Sequence, residues 1–167
     1  MEEFRIITGF SNYEISNLGN VKNKTTGKIM KQSINVFGYY FVSMTNDKNI
    51  KQQCRVHRLI GLTFIPNPNN KPIIDHINND RKNNNINNLR WASSEENNGN
   101  RSLTNKNKSG YIGVHFDKHM KKWRAQITHN KKLIDLGYFN NIEDAVNVRV
   151  MKSRELRGVF SNQFEKK

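Results

Sequence analysis

Residues 71–98 read KPIIDHINNDRKNNNINNLRWASSEENN. Ile73-Ile74-Asp75 reads as a short strand after Pro72. A polar loop follows from Asn78 to Asn85, and Leu89-Arg90-Trp91-Ala92 returns as a second strand. Ser93 then caps a helix, with Glu96 three residues on and Glu95 beside it, where the positive end of a helix favours acids. The order is strand, loop, strand, helix. Asp75-His76, placed directly after an apolar strand, is the sharpest chemical feature of the chain. Hydrolysis of a phosphodiester needs a divalent cation to neutralise the phosphate and a base to take a proton from water. Hard cations prefer oxygen ligands, and Asp75 supplies a carboxylate. Strand neighbours point to opposite faces, so Asp75 and His76 diverge unless the strand ends there. Asn97, early on the following helix, can bring an amide oxygen back beside Asp75.

Upstream, Tyr13–Ser16 and Asn20–Lys22 read as strands around the turn Asn17-Leu18-Gly19. Gly38–Met44 is an aromatic, β-rich run. Val56–Ile65 reads as a helix with Leu59, Leu62 and Phe64 facing a core, and Pro66 ends it. His57 on that helix is expected to be a buried histidine rather than a catalytic one. Downstream, residues 101–109 form a polar basic linker. Tyr111–Asp117, Trp123–Thr128 and Leu133–Phe139 are strand candidates. Asn141 caps a final helix with Glu143 and Asp144 in its first turn. Ile142, Ala145, Val146 and Val150 lie at helical spacing and would pack on the sheet. Trp123, Ala125 and Ile127 alternate with Arg124, Gln126 and Thr128, so one set covers the helix and the other forms an exposed polar face. A small basic sheet backed by one helix can lie in a DNA major groove.

The chain has 167 residues, 28 Lys and Arg against 14 Asp and Glu, and a formal charge of +14, which makes nucleic acid the leading partner. Residues 1–55 carry net +4, residues 56–100 net +1 and residues 101–167 net +9. A cutting centre between DNA-gripping arms has this distribution. Cys54 is the single cysteine, which excludes an intrachain disulfide framework and zinc sites built on several thiolates. No apolar run reaches the roughly 18 residues of a membrane span, and the start lacks a signal peptide's basic-then-apolar order. An intracellular protein with no membrane partner is expected. There are 27 Asn, so only an Asn at a defined place in a motif carries weight.

The stretch VHRLIGLTFIPNPNNKPIIDHINNDRKNNNINNLRWASSEENN closely resembles the HNH endonuclease family, with its ββα-metal fold. The pattern stands as Asp75-His76, Asn88 before Leu89-Arg90-Trp91, and Asn97. The resemblance implies that His76 activates water and that Asp75 and Asn97 bind the metal, Mg2+ or Mn2+. It implies that Asn88 braces the loop and orients His76. Asn83, Asn84 and Asn98 stand close by as rivals for the Asn roles. Asn rather than His at position 97 looks like the variant of phage and intron-type homing nucleases.

EEFRIITGFSNYEISNLGNVKN resembles a small nuclease-associated DNA-binding module, with Phe4 where that family has tryptophan. Residues 109–150 resemble the ethylene-response-factor-like DNA-binding domain through Gly113-Val114, Trp123, Ala125, Ile127, Leu136-Gly137 and Phe139. Plant members read bases with sheet arginines. The equivalent places here are Ile112, His115, Asp117, Gln126, Thr128, Leu133 and Asp135, so that base specificity does not carry over. The resemblance implies His115, Arg124, Gln126 and Thr128 as face residues, and Lys118, Lys121, Lys122, Lys131 and Lys132 as phosphate contacts.

The expectation is an α+β chain: a β-rich module over 1–55, a ββα-metal nuclease unit over 56–100, a linker over 101–109, and a three-stranded antiparallel sheet packed on one helix over 110–167. Its expected function is metal-dependent hydrolysis of double-stranded DNA by a homing or mobile-element nuclease, monomeric and without a small-molecule cofactor. Rival readings are a DNA-binding protein with a vestigial nuclease centre, a transcription factor, and an RNA-binding module. Deleting residues 106–167 is expected to weaken binding while sparing nicking at low salt.

Overall fold

A computed structural model describes residues 1–101, 103 and 107–161. Part of the expected linker (residues 102 and 104–106) and the last six residues of the expected C-terminal domain lie outside the described residues. The fold is mixed α+β and divides into two compact units, Met1–Ala92 and a second beginning at Ser93.

The first unit holds three small antiparallel sheets and a helix. One sheet is β1 (Phe4–Ile7), β2 (Phe10–Ser16) and β3 (Val21–Asn23), with β2 central. Another is β4 (Ser33–Ile34), β5 (Tyr40–Thr45) and β6 (Lys51–Arg55). A two-stranded ribbon pairs β7 (Ile73–His76) with β8 (Leu89–Ala92). Helix α1 (Val56–Phe64) shares one core with all three, built on Ile15, Val21, Val42, Met44, Val56, Ile60, Ile74 and Leu89. This core is continuous across residues 55 and 56, where charge divides the sequence.

The inward stripe of α1 is Val56, His57, Leu59, Ile60 and Gly61. Leu62, expected in the core, is 64% exposed instead. At 100° per residue it lies about 200° from Ile60, on the opposite side of the helix. Gly61 is what lets α1 press on β7: a Cβ there would overlap the Ile74 side chain. That approach sets the helix bearing His57 against the strand bearing His76.

The second unit opens with the short helix α2 (Ser94–Gly99). Ser93 Oγ accepts from the Glu96 N–H at 3.2 Å while Glu96 Oε2 accepts from the Ser93 N–H at 2.7 Å, a complete capping box. The antiparallel sheet has β10 (Lys122–His129) between β9 (Val114–Asp117) and β11 (Lys132–Phe139). Helix α3 (Ile142–Arg157), capped by Asn141, packs Ala145, Ile142 and Val146 on Val114, Ala125 and Trp123. The N-terminal end of the sheet is tied by Ser109 Oγ, which donates to Val114 O at 2.6 Å.

Candidate active site and nucleic-acid face

The register of the β7–β8 ribbon builds the first contact of the site. Asp75 pairs with Arg90 across the ladder, so their side chains share a face. Arg90 Nε and Nη2 both lie 2.9 Å from Asp75 Oδ2. The Asp75 side chain is 6% exposed, so this charge-assisted fork fixes its orientation in a water-poor setting. The ribbon ends at His76, also buried, after which the chain enters the loop of residues 77–88.

That loop is built from asparagine. Asn88 closes it: its Oδ1 accepts from the Asn78 N–H at 3.1 Å and its Nδ2 donates to Asn83 O at 2.8 Å. Asn78, Asn83 and Asn85 each accept a backbone N–H two residues on, the Asx-turn pattern. Asn84 points inward, and its Oδ1 sits 3.1 Å from His76 Nε2. An amide oxygen only accepts, so Nε2 carries the proton and Nδ1 holds the lone pair of the neutral ring. Burial pulls the His76 pKa below its ordinary value; the Asn84 bond and the Asp75 and Asp80 carboxylates oppose the shift, and Arg81 adds to it.

His57, expected to be a buried histidine, is buried beside His76. Its ring lies 5.0 Å from that of His76 and 4.9 Å from that of Tyr39, and Tyr39 lies 6.0 Å from His76. His57 Nδ1 is buried without a hydrogen-bond partner. Burial, then the neighbouring His76, Arg55 and Arg58, hold its pKa down at about 3, so it is a neutral packing ring at working pH. The N-terminal segment grips the same loop. Asn17 O accepts from the Ile86 N–H at 3.0 Å, and Arg81 Nη1 donates to Phe37 O at 2.8 Å. Gly19, at φ +96°, approaches so closely that a Cβ would stand 3.3 Å from that of Asn84. No local sequence signal marks these contacts, since each joins residues far apart in the chain.

Residues 2–45 match the family profile of the NUMOD4 motif, and residues 54–99 match that of the HNH endonucleases. Residues 54–99 are an HNH endonuclease domain. Two proteins of Acanthamoeba polyphaga mimivirus named as uncharacterized HNH endonucleases are 45% identical over 93 residues and 41% identical over 87. These matches cover 54% and 52% of this chain but only 23% and 26% of those proteins. DNA endonuclease I-HmuI of Bacillus phage SP01 is 30% identical over 96 residues, 57% of this chain and 55% of that protein. The solved structure of the HNH homing endonuclease I-HmuI superposes with a TM-score of 0.53 at 29% identity, over 57% of this chain and 55% of that one. The chain thus spans about a quarter of the mimivirus relatives and about half of the phage one.

Within the HNH domain, Asp75, His76 and Asn88 lie in the first unit, while Asn97 stands half-buried on α2 in the second. Among the described residues no three His, Cys, Asp or Glu side chains gather as a metal cage. In the first unit Asp75 offers a carboxylate beside His76. An oxygen donor of this kind suits a hard divalent cation.

In the second unit, Arg124 pairs with His115 on β9 and Tyr138 on β11, a cross-sheet row on the side away from α3. Asp135 neutralises Arg124, with Nη2–Oδ2 at 2.9 Å. His115, Thr128, Lys118, Lys121, Lys122, Lys131 and Lys132 are exposed. Gln126, Thr128 and Lys131 line a recess of about 500 Å³ with Arg101 and Arg149. A second polar face, which the sequence reading left out, lies on β5 and β6. There Phe41 pairs with Arg55, Ser43 with Gln53 and Thr45 with Lys51, opposite the buried Val42 and Met44.

Proposed function

We propose that this chain is a metal-dependent DNA endonuclease of the homing or mobile-element type. The observation that carries the reading is the buried Asp75-His76 pair, oriented by Arg90 and Asn84 inside the segment that matches the HNH family. Asp75 and Asn97 are the residues to hold Mg2+ or Mn2+, which when bound neutralises charge on the scissile phosphate and stabilises the leaving oxygen. His76 takes the proton of the attacking water, its ring held by Asn84. Asp75 keeps its orientation through Arg90, and Asn88 holds the loop closed. The products are a 3′-hydroxyl and a 5′-phosphate, and a single centre in a monomer nicks one strand per encounter.

Double-stranded DNA is the partner. The β5–β6 face with Arg55 and Lys51, and the second sheet with His115, Arg124, Gln126 and Thr128, supply two grips, and Lys118, Lys121, Lys122, Lys131 and Lys132 supply phosphate contacts. The second grip is the ethylene-response-factor-like reading of residues 110–167. The test is incubation of the purified chain with supercoiled plasmid in Mg2+, in Mn2+ and in EDTA. Nicks that need the metal and that DNA ligase reseals are expected. Firm DNA binding with no nicking in either metal favours the vestigial-nuclease reading.

A further inference from the structure

The β4–β5 connection, Asn35–Tyr39, carries two apolar side chains into solvent: Val36 is 94% exposed and Phe37 63%. The turn that presents them is closed by hydrogen bonds. Asn35 Oδ1 accepts from the Phe37 and Tyr39 N–H groups, both at 3.0 Å. The Asn35 N–H donates to Tyr39 O at 3.0 Å, the Gly38 N–H donates to Asn35 O at 2.9 Å, and Gly38 takes φ +82°. The pair is therefore held out of the core at an ordered tip. Ile34, 48% exposed, extends the apolar surface down β4.

The neighbours of this tip are cations. Arg81 Nη1 is bonded to Phe37 O, and the guanidinium groups of Arg81 and Arg55 lie 5.0 and 5.5 Å from the Tyr39 ring centroid. Tyr39 in turn touches His57 and His76. An ordered apolar tip flanked by guanidinium groups has the chemistry of a minor-groove wedge: the apolar side chains part a base step while the cations meet adjacent phosphates. The site of insertion is tied to the cleavage centre, because only Gly38 separates Phe37 from the ring that packs on His76.

We propose that Val36 and Phe37 form a wedge that enters a base step of duplex DNA beside the cleavage centre. The proposal rests on the DNA-cleavage reading and adds a distortion step to it. Parting a step costs stacking energy, which the contacts of Arg55 and Arg81 with the bent backbone offset. Negative supercoiling lowers that cost, since it already favours unwinding.

The test uses the full chain in EDTA, so that no cleavage occurs, with closed-circular plasmid and topoisomerase I. A wedge unwinds DNA, so plasmid relaxed in the presence of the chain has a lowered linking number once the protein is removed. The doubly substituted Val36→Ser, Phe37→Ser chain should still shift plasmid in a gel, with weakened affinity, but leave the linking number unchanged. Phe37→Leu, which keeps an apolar tip, should retain unwinding. Both side chains are exposed, so the melting temperature of the double variant should stay close to that of the parent. In Mg2+ at saturating protein, where DNA bound by the parent is already unwound, the ratio of nicking rates on supercoiled over relaxed plasmid should rise about tenfold or more in the Ser variant, the effect of about 1.4 kcal/mol. Binding by the parent without a change in linking number, or equal unwinding by the Ser variant, overturns the wedge and leaves the DNA reading intact. It assigns the tip to a protein or lipid contact instead. Failure of the parent chain to bind DNA at all overturns the DNA reading and the wedge with it.

Discussion

Asn84 and His76 meet through a single pair of atoms, so truncating Asn84 removes what selects the Nδ1 lone pair while leaving the fold of the ribbon in place. Asn84→Ala should lower the nicking rate about 10–100-fold, the usual cost of losing a group that orients a reacting side chain. Single-turnover nicking at saturating protein measures this, with gel shifts to show that binding is retained. An unchanged rate would make Asn84 a loop residue only. His57 gives a prediction of a different kind. Its folded value of about 3 lies below the ordinary 6.5, so the unfolded chain takes the proton first. Stability from this group is intact above pH 6.5 and declines as pH falls from 6.5 toward 3, with His76 shifted in the same direction. At about pH 4.5 the loss from His57 is about 2–3 kcal/mol, read as a fall in melting temperature that His57→Phe should flatten. The Asp75-His76 dipeptide was legible from the sequence because its placement after an apolar strand is local. The partner of His76 was not, because five of the eight residues over 83–90 are Asn and only the fold picks out the one that turns inward.

Local chemistry made several elements readable and tertiary packing hid others. The Ser93 cap with Glu96, the Asn141 cap and the three C-terminal strands follow from short-range signals, and each is present. Strand β4 has only two residues and β6 is polar apart from Cys54, so neither gave a period to read, and β1, Phe-Arg-Ile-Ile, shows no strict alternation. Leu62 misled because helical spacing from Leu59 alone does not fix which side of α1 meets the core; Ile60 and Gly61 do. Gly61→Ala tests that packing directly. Its methyl group would collide with Ile74, so a destabilisation of about 1–3 kcal/mol is expected in denaturant melts. The same variant should slow nicking, because α1 and β7 bring His57 and His76 together. A melt unchanged by the methyl group would mean that α1 does not press on β7 as described.

Charge divides the molecule differently from packing. The acidic-to-basic balance separates residues 1–55 from 56–100, yet one core serves both. The helix that carries Asn97 opens the second unit: a Cβ at Gly99 would stand 2.9 Å from Arg157 Cδ and 3.0 Å from Phe160 O. Deleting residues 106–167 therefore strips α2 of its packing, and nicking is expected to fall along with binding. Replacing Lys118, Lys121, Lys122, Lys131 and Lys132 by Gln separates the two effects. The slope of log affinity against log salt should flatten by about 0.9 for each lysine that meets a phosphate, with the nicking rate at saturation preserved. A slope that does not move would remove those lysines from the DNA grip. The role of His76 is read from the rate of Mg2+-dependent nicking of supercoiled plasmid by the parent chain and by His76→Ala, compared at equal DNA occupancy. A loss of at least about 100-fold is expected. Nicking by His76→Ala at the parent rate would contradict that role.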